Sequence, residues 1–214
     1  MLGKPTTISG ALPMASAQPM ANFTMKEYMS YQKQALKSLA LAAALLASHA
    51  AFASDDKLID SVYGEFATGT QTQMVRAGVT SDWSQRWFQS NGTHLSGYWD
   101  ANAGAWQANR YQNVEGAKQN LYDIGFTPVF RFERDDKKGF YAEGGIGVHL
   151  LSKLYDNATY RLSTHFQFGD HVGVGYVFNN KWEVGMKIQH FSNGGYKKPN
   201  TGVNFLNIKA AYHF

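Results

Sequence analysis

The sequence predicts an all-β protein, an eight-stranded antiparallel transmembrane β-barrel of the bacterial outer membrane. Three observations carry the prediction. Apolar and polar residues alternate with period two along eight segments, the signature of strands with one greasy and one polar face. The polar faces carry full charges and glycines, as a tightly filled barrel interior does. Aromatic residues, among them Trp83, Trp87, Tyr98, Trp99, Trp106 and Tyr111, gather near the ends of these segments like the girdles at a membrane boundary. A soluble sandwich would also alternate, but would not need the last two features.

The chain begins with a leader. Lys26, Lys33 and Lys37 form a positive region, residues 38–47 an apolar run, and Ala51-Phe52-Ala53 a small-x-small cleavage site. This pattern predicts a secretory signal peptide cut between Ala53 and Ser54. Its apolar run of about ten residues is too short to span a bilayer as a helix. Residues 1–24 precede a normal signal start at Met25 or Met29 and read as an upstream or misassigned start. Residues 1–53 are thus expected to be removed, leaving 54–214 as one barrel domain. That mature part holds 16 Lys and Arg against 15 Asp and Glu, so the basic pI of about 9.1 belongs mostly to the leader. Nothing in this balance asks for a nucleic-acid partner. With no cysteine, disulfides and thiolate metal sites are excluded. No run of about twenty apolar residues supplies a membrane-spanning helix.

Strands are expected at 58–67, 73–87, 93–107, 119–134, 139–152, 164–178, 182–192 and 203–214. In the fourth, Tyr122, Ile124, Phe126, Phe130 and Phe132 oppose Asp123, Gly125, Thr127, Arg131 and Glu133. In the fifth, Phe140, Ala142, Ile146, Val148 and Leu150 oppose Tyr141, Glu143, Gly145, Gly147 and His149. The sixth sets Val172, Val174, Tyr176 and Phe178 against glycines, and the last runs Leu206, Ile208, Ala210, Tyr212, Phe214. With both ends of the barrel chain periplasmic, the short connections near 88–92, 135–138 and 179–181 fall inside, and the longer ones near 108–118, 153–163 and 193–202 outside. A barrel of eight strands is filled by its own side chains, so its function should lie on the outer wall or in the loops.

The seventh strand carries the chemistry. Trp182, Val184, Met186, Ile188, His190 and Ser192 share its apolar face, so a histidine and a serine point together toward lipid at its outer end. A serine nucleophile needs a base, and the base needs a group that fixes its tautomer. Phe178 and Trp182 both face outward, so 179–181 form the turn, and pairing 178 with 182 sets Asp170 beside His190. On the other side the outward face of the last strand begins at Asn204, and no acidic residue follows Glu183. The orienting group is therefore Asn204, Asp170, or both in succession. Asn193, Gly194 and Gly195 could offer donors to an oxyanion, and Lys197 and Lys198 could meet lipid phosphates. His94, His149, His165 and His171 show no ligand spacing and read as wall or lumen residues, His213 as an inward one. No metal or cofactor site is expected.

The segment His190-Phe191-Ser192-Asn193-Gly194-Gly195, followed by Lys198-Pro199-Asn200 and Gly202, resembles the outer-membrane lipid A 3-O-deacylases of the PagL type. Gly97-Tyr98-Trp99-Asp100, Pro128-Val129-Phe130 and Glu143-Gly145-Ile146-Gly147-Val148 resemble the same family. The resemblance implies an eight-stranded barrel with a lipid-facing Ser-His-acid site, in which Ser192 is nucleophile, His190 general base, and Asn193 and Gly195 the oxyanion positions. Some members have a glutamate twelve residues after the serine; this chain has Asn204. An asparagine there is similar to outer-membrane phospholipase A, whose twelve strands this chain is too short to build.

The expectation is an ester hydrolase that removes the 3-linked acyl chain of lipid A in the outer leaflet. Its expected partners are lipopolysaccharide and the membrane, with a second copy of the chain as a candidate homodimer partner and no nucleic acid. The alternatives are an outer-membrane phospholipase and a non-enzymatic structural or adhesion barrel.

Overall fold

The expected strands pair, neighbour with neighbour, into a sheet that closes on itself. In this computed structural model residues 58–214 are described; the leader and its cleavage site lie outside the described residues. The strands are β1 (Ser61–Gly69), β2 (Thr72–Asp82), β3 (Trp87–Ser90), β4 (Thr93–Ala108), β5 (Gln119–Arg134), β6 (Gly139–Leu151), β7 (Asp156–Asn157), β8 (Tyr160–Arg161), β9 (Phe166–Val177), β10 (Trp182–Ser192) and β11 (Val203–His213). The order β2-β1-β11-β10-β9-β6-β5-β4 is completed by pairing of β2 with β4, giving an eight-stranded antiparallel barrel without a free edge. Closure pairs each barrel strand with a neighbour on both sides, which a hydrocarbon surrounding demands.

The alternation decides which side chains face out. On β5, Tyr122, Ile124, Phe126, Phe130 and Phe132 are exposed, whereas Leu121, Asp123, Arg131 and Glu133 are buried inside. The interior ions are paired, as buried charges must be. Nearer the long loops, Arg76 meets Glu65 at 3.2 Å and Asp123 at 3.4 Å, Lys187 meets Glu65 at 2.7 Å, and His149 meets Asp123 at 2.8 Å. Nearer the start of β1 and the end of β11, Arg131 bridges Glu143 at 2.7 Å and Glu183 at 3.0 Å, with Lys209 on Glu183 at 2.7 Å. His213 also faces in, its Nε2 lying 2.8 Å from Glu183. Above the ions an apolar plug of Met74, Trp106, Leu121, Phe191 and Phe205, joined by Tyr155 and Leu162 from a loop, fills the outer end. Among the described residues the lumen is therefore a packed core.

Three local features differ from the pattern read in the sequence. The second strand stops at Asp82, and Trp87–Ser90 instead folds back on β4 around Asn91 and Gly92, whose φ values are +52° and +75°. Two consecutive positive φ angles define the Asn-Gly hairpin turn. Trp83 leaves the strand to pack edge-on against Trp99 and Phe130 at 5.4 and 5.0 Å, in space that Gly97 leaves open. Tyr98 and Trp106 do not belong to a girdle: they share parity with Asp100, so they point into the lumen and are 5% and 2% exposed. The third is the β7–β8 hairpin within the 152–165 connection, too short to show periodicity. Its buried Asn157 ties three loops together, donating to the carbonyls of Thr70 and Gln71 and accepting from the Arg110 N–H.

Candidate active site

β10 carries the site because its parity splits chemistry from support. Glu183, Lys187, Gln189 and Phe191 point inward; Val184, Met186, Ile188, His190 and Ser192 point outward. Phe191, fully buried between His190 and Ser192, packs edge-on against Trp106 at 4.8 Å and His149 at 5.0 Å. This pins the strand end that presents the two polar residues.

The register sets three side chains in a row across the wall. His190 is paired with Asn204 on β11 and with Asp170 on β9. The imidazole Nδ1 lies 2.6 Å from Asn204 Oδ1. An amide oxygen only accepts, so Nδ1 carries the proton and Nε2 keeps its lone pair. Asn204, not Asp170, is thus the group bonded to the ring. Gly202, at φ +70°, lies against the imidazole; a Cβ there would sit 3.0 Å from Nε2. Only a residue without a side chain lets the ring occupy this place.

Ser192 stands one outward step beyond His190, opposite Phe168. Its Oγ makes no hydrogen bond to His190 and accepts at 3.4 Å from the Gly194 N–H. The turn that follows has φ +67° at Gly194 and +83° at Gly195. Asn193 is 3% exposed and organises this turn. Its Nδ2 donates to Lys197 O at 2.8 Å and to Ser163 Oγ at 3.3 Å, and its Oδ1 accepts from Gly195 N–H at 3.0 Å. Its own N–H donates to Asn200 Oδ1 at 3.1 Å. The Asn193 amide and the Gly195 N–H therefore serve the loop in this conformation, and the Gly194 N–H is the donor aimed at the serine.

A second loop clamps the first. Arg161 N–H donates to Thr201 Oγ1 at 2.8 Å, Ser163 Oγ donates to Lys197 O at 2.8 Å, and Leu162 bridges Asn200. Arg161, Lys197 and Lys198 consequently share one exposed loop region. Sequence reasoning did not find Ser163, whose loop has no spacing relation to the His-x-Ser strand. The sequence signal for Gly202 is a glycine two residues before an outward asparagine, and its role is visible only in the packing against His190.

A lipid-facing serine and histidine on the wall of a closed barrel define an outer-membrane barrel with the elements of an ester hydrolase. The family model for lipid A 3-O-deacylase (PagL) matches residues 73–213. The chain belongs to this family. It is 34% identical over 176 residues to the lipid A deacylase PagL of Pseudomonas aeruginosa, covering 81% of this chain and 95% of that protein. It is likewise 34% identical over 95 residues to the lipid A deacylase PagL of Bordetella bronchiseptica, covering 44% of this chain and 52% of that one. Its fold is similar to the crystal structure of the outer membrane enzyme PagL, with TM-score 0.62 and 27% identity over 72% of this chain and 99% of the other.

Proposed function

We propose that this protein hydrolyses the ester that links an acyl chain to the 3-position of lipid A, with Ser192 as nucleophile and His190 as general base. The observation that carries the proposal is the outward row at the end of β10: a histidine whose Nδ1 is held by Asn204 at 2.6 Å, next to a serine on the same face. Substrate reaches such a site laterally, through the outer leaflet, and needs no channel.

His190 Nε2 takes the hydroxyl proton as Ser192 Oγ bonds to the ester carbonyl carbon. The 192–195 turn receives the oxyanion on the Gly194 N–H; the Asn193 amide and the Gly195 N–H, which brace the loop, join it only once substrate has drawn them from their loop partners. The carbon–oxygen bond to the sugar then breaks, and the proton on Nε2 passes to the sugar oxygen. Water, deprotonated by the same imidazole, cleaves the acyl-serine and releases the fatty acid. Asn204 keeps the ring in the tautomer this sequence needs. Lys197, Lys198 and Arg161 supply positive charge where a phosphorylated headgroup would lie.

Release of 3-hydroxy fatty acid from lipid A and of fatty acid from phospholipid, by folded, detergent-solubilised protein, tests the proposal. Lipid A should be the substrate that turns over, and Ser192→Ala or His190→Ala should each lower kcat by at least about a thousandfold. Equal turnover of phospholipid would replace the substrate; undiminished turnover by Ser192→Ala would overturn the mechanism.

A further inference from the structure

We propose that Asp170 acts as a second partner of His190, supplying from β9 the negative charge that Asn204 lacks, so that two residues on two strands divide the work of one carboxylate. The inference rests on the Ser192–His190 reading above.

Asp170 faces lipid and is paired with His190 on one side and with Ile146 on the other. Its neighbours on the outward face of β9 are Phe168 and Val172, both exposed. A lone carboxylate among such residues is disfavoured on a lipid-facing wall. Among the described residues its side chain has no hydrogen-bond or salt-bridge partner, whereas the acids of the lumen are paired. The one neighbour able to acquire a counter-charge is His190, when it takes the Ser192 proton.

Asn204 meets only half of what the imidazole requires. Its Oδ1 fixes the tautomer at 2.6 Å, but a neutral amide leaves the imidazolium without an anion. Among the described residues, the strands that flank the ring carry no other outward acid. β11 follows the last acid of the chain, Glu183, and that side chain points inward onto Arg131 and Lys209. The ionised groups of the 193–202 loop are Lys197 and Lys198, whose sign opposes an imidazolium. Directly opposed side chains of an antiparallel pair have Cβ atoms about 4.5–5.5 Å apart, close enough for a carboxylate to act on the ring across a poorly screened lipid boundary. Asp170 is thus a positioning residue that acts through His190 and touches no reacting atom.

The test is a double-mutant cycle on the full-length protein in detergent, with lipid A as substrate. Asp170→Asn should lower kcat at least about tenfold with KM nearly unchanged, and Asp170→Glu should restore most of the loss. With Asn204→Glu already present, a carboxylate holds Nδ1, and Asp170→Asn should then cost less than about twofold. Wild-type kcat in Asp170→Asn, or an equal loss in both backgrounds, would overturn the inference. Ser192→Ala, run alongside, separates the two levels. If it is inactive while Asp170→Asn is fully active, only this inference falls; if it is active, the underlying reading falls with it.

Discussion

Gly202 is where one methyl group tests the site. Its backbone lies against the imidazole of His190 at φ +70°, so Gly202→Ala both strains the loop and displaces the ring. A misplacement of about 1 Å costs on the order of a hundredfold in rate. The expected result is a kcat loss of that order, read by fatty-acid release, with the fold intact. Asn204→Ala removes the acceptor that holds the ring but leaves the ring itself. It should lower kcat less than His190→Ala does, checked by the same assay. The residues of this row were legible in the sequence because parity and one turn fixed them: a three-residue connection at 179–181 sets 170 opposite 190, and the structure has that register. What could not be read was which neighbour bonds Nδ1. That choice is decided by side-chain reach, and the pattern of alternation is blind to it.

At the scale of elements, β10 works because its inward residues anchor what its outward residues present. Phe191→Ala would open a cavity beside Trp106, Phe205 and His149 and should destabilise the barrel by about 3–5 kcal/mol. The shift in the thermal transition of the folded form checks it. The loop clamp is subtler. Ser163→Ala removes one donor to Lys197 O and one acceptor of the Asn193 amide, and so loosens the turn after Ser192. The expected outcome is a fall in kcat of about tenfold with little change in thermal stability. Strands β5 and β10 fell within their predicted bounds, since ten or more alternating residues leave no ambiguity of period. The β3 and β7–β8 hairpins escaped because two to four residues carry no period, and because Trp83 packs on other aromatics instead of continuing its strand. The connection expected near 88–92 is longer, because β2 ends at Asp82 and Trp87–Ser90 pairs with β4 across the Asn91-Gly92 turn.

For the molecule as a whole, the barrel is a scaffold whose lumen is for stability and whose wall is for chemistry. Removing one partner of the buried Arg131–Glu143–Glu183–Lys209 group strands a charge inside the barrel. Arg131→Met should therefore cost about 3–5 kcal/mol of stability, while folded protein keeps its activity; heat-modified mobility in gels and fatty-acid release report the two separately. The fold class was legible because charged inward faces and apolar outward faces reverse the arrangement of a soluble barrel. The central claim, that a lipid-facing Ser192–His190 pair deacylates lipid A at its 3-position, is tested most directly by mass spectrometry of lipid A after incubation with folded wild-type protein and with Ser192→Ala. The account predicts loss of one hydroxyacyl chain from the 3-position with the wild type and none with the variant. The same loss with Ser192→Ala, or unchanged lipid A with folded wild type, would contradict it.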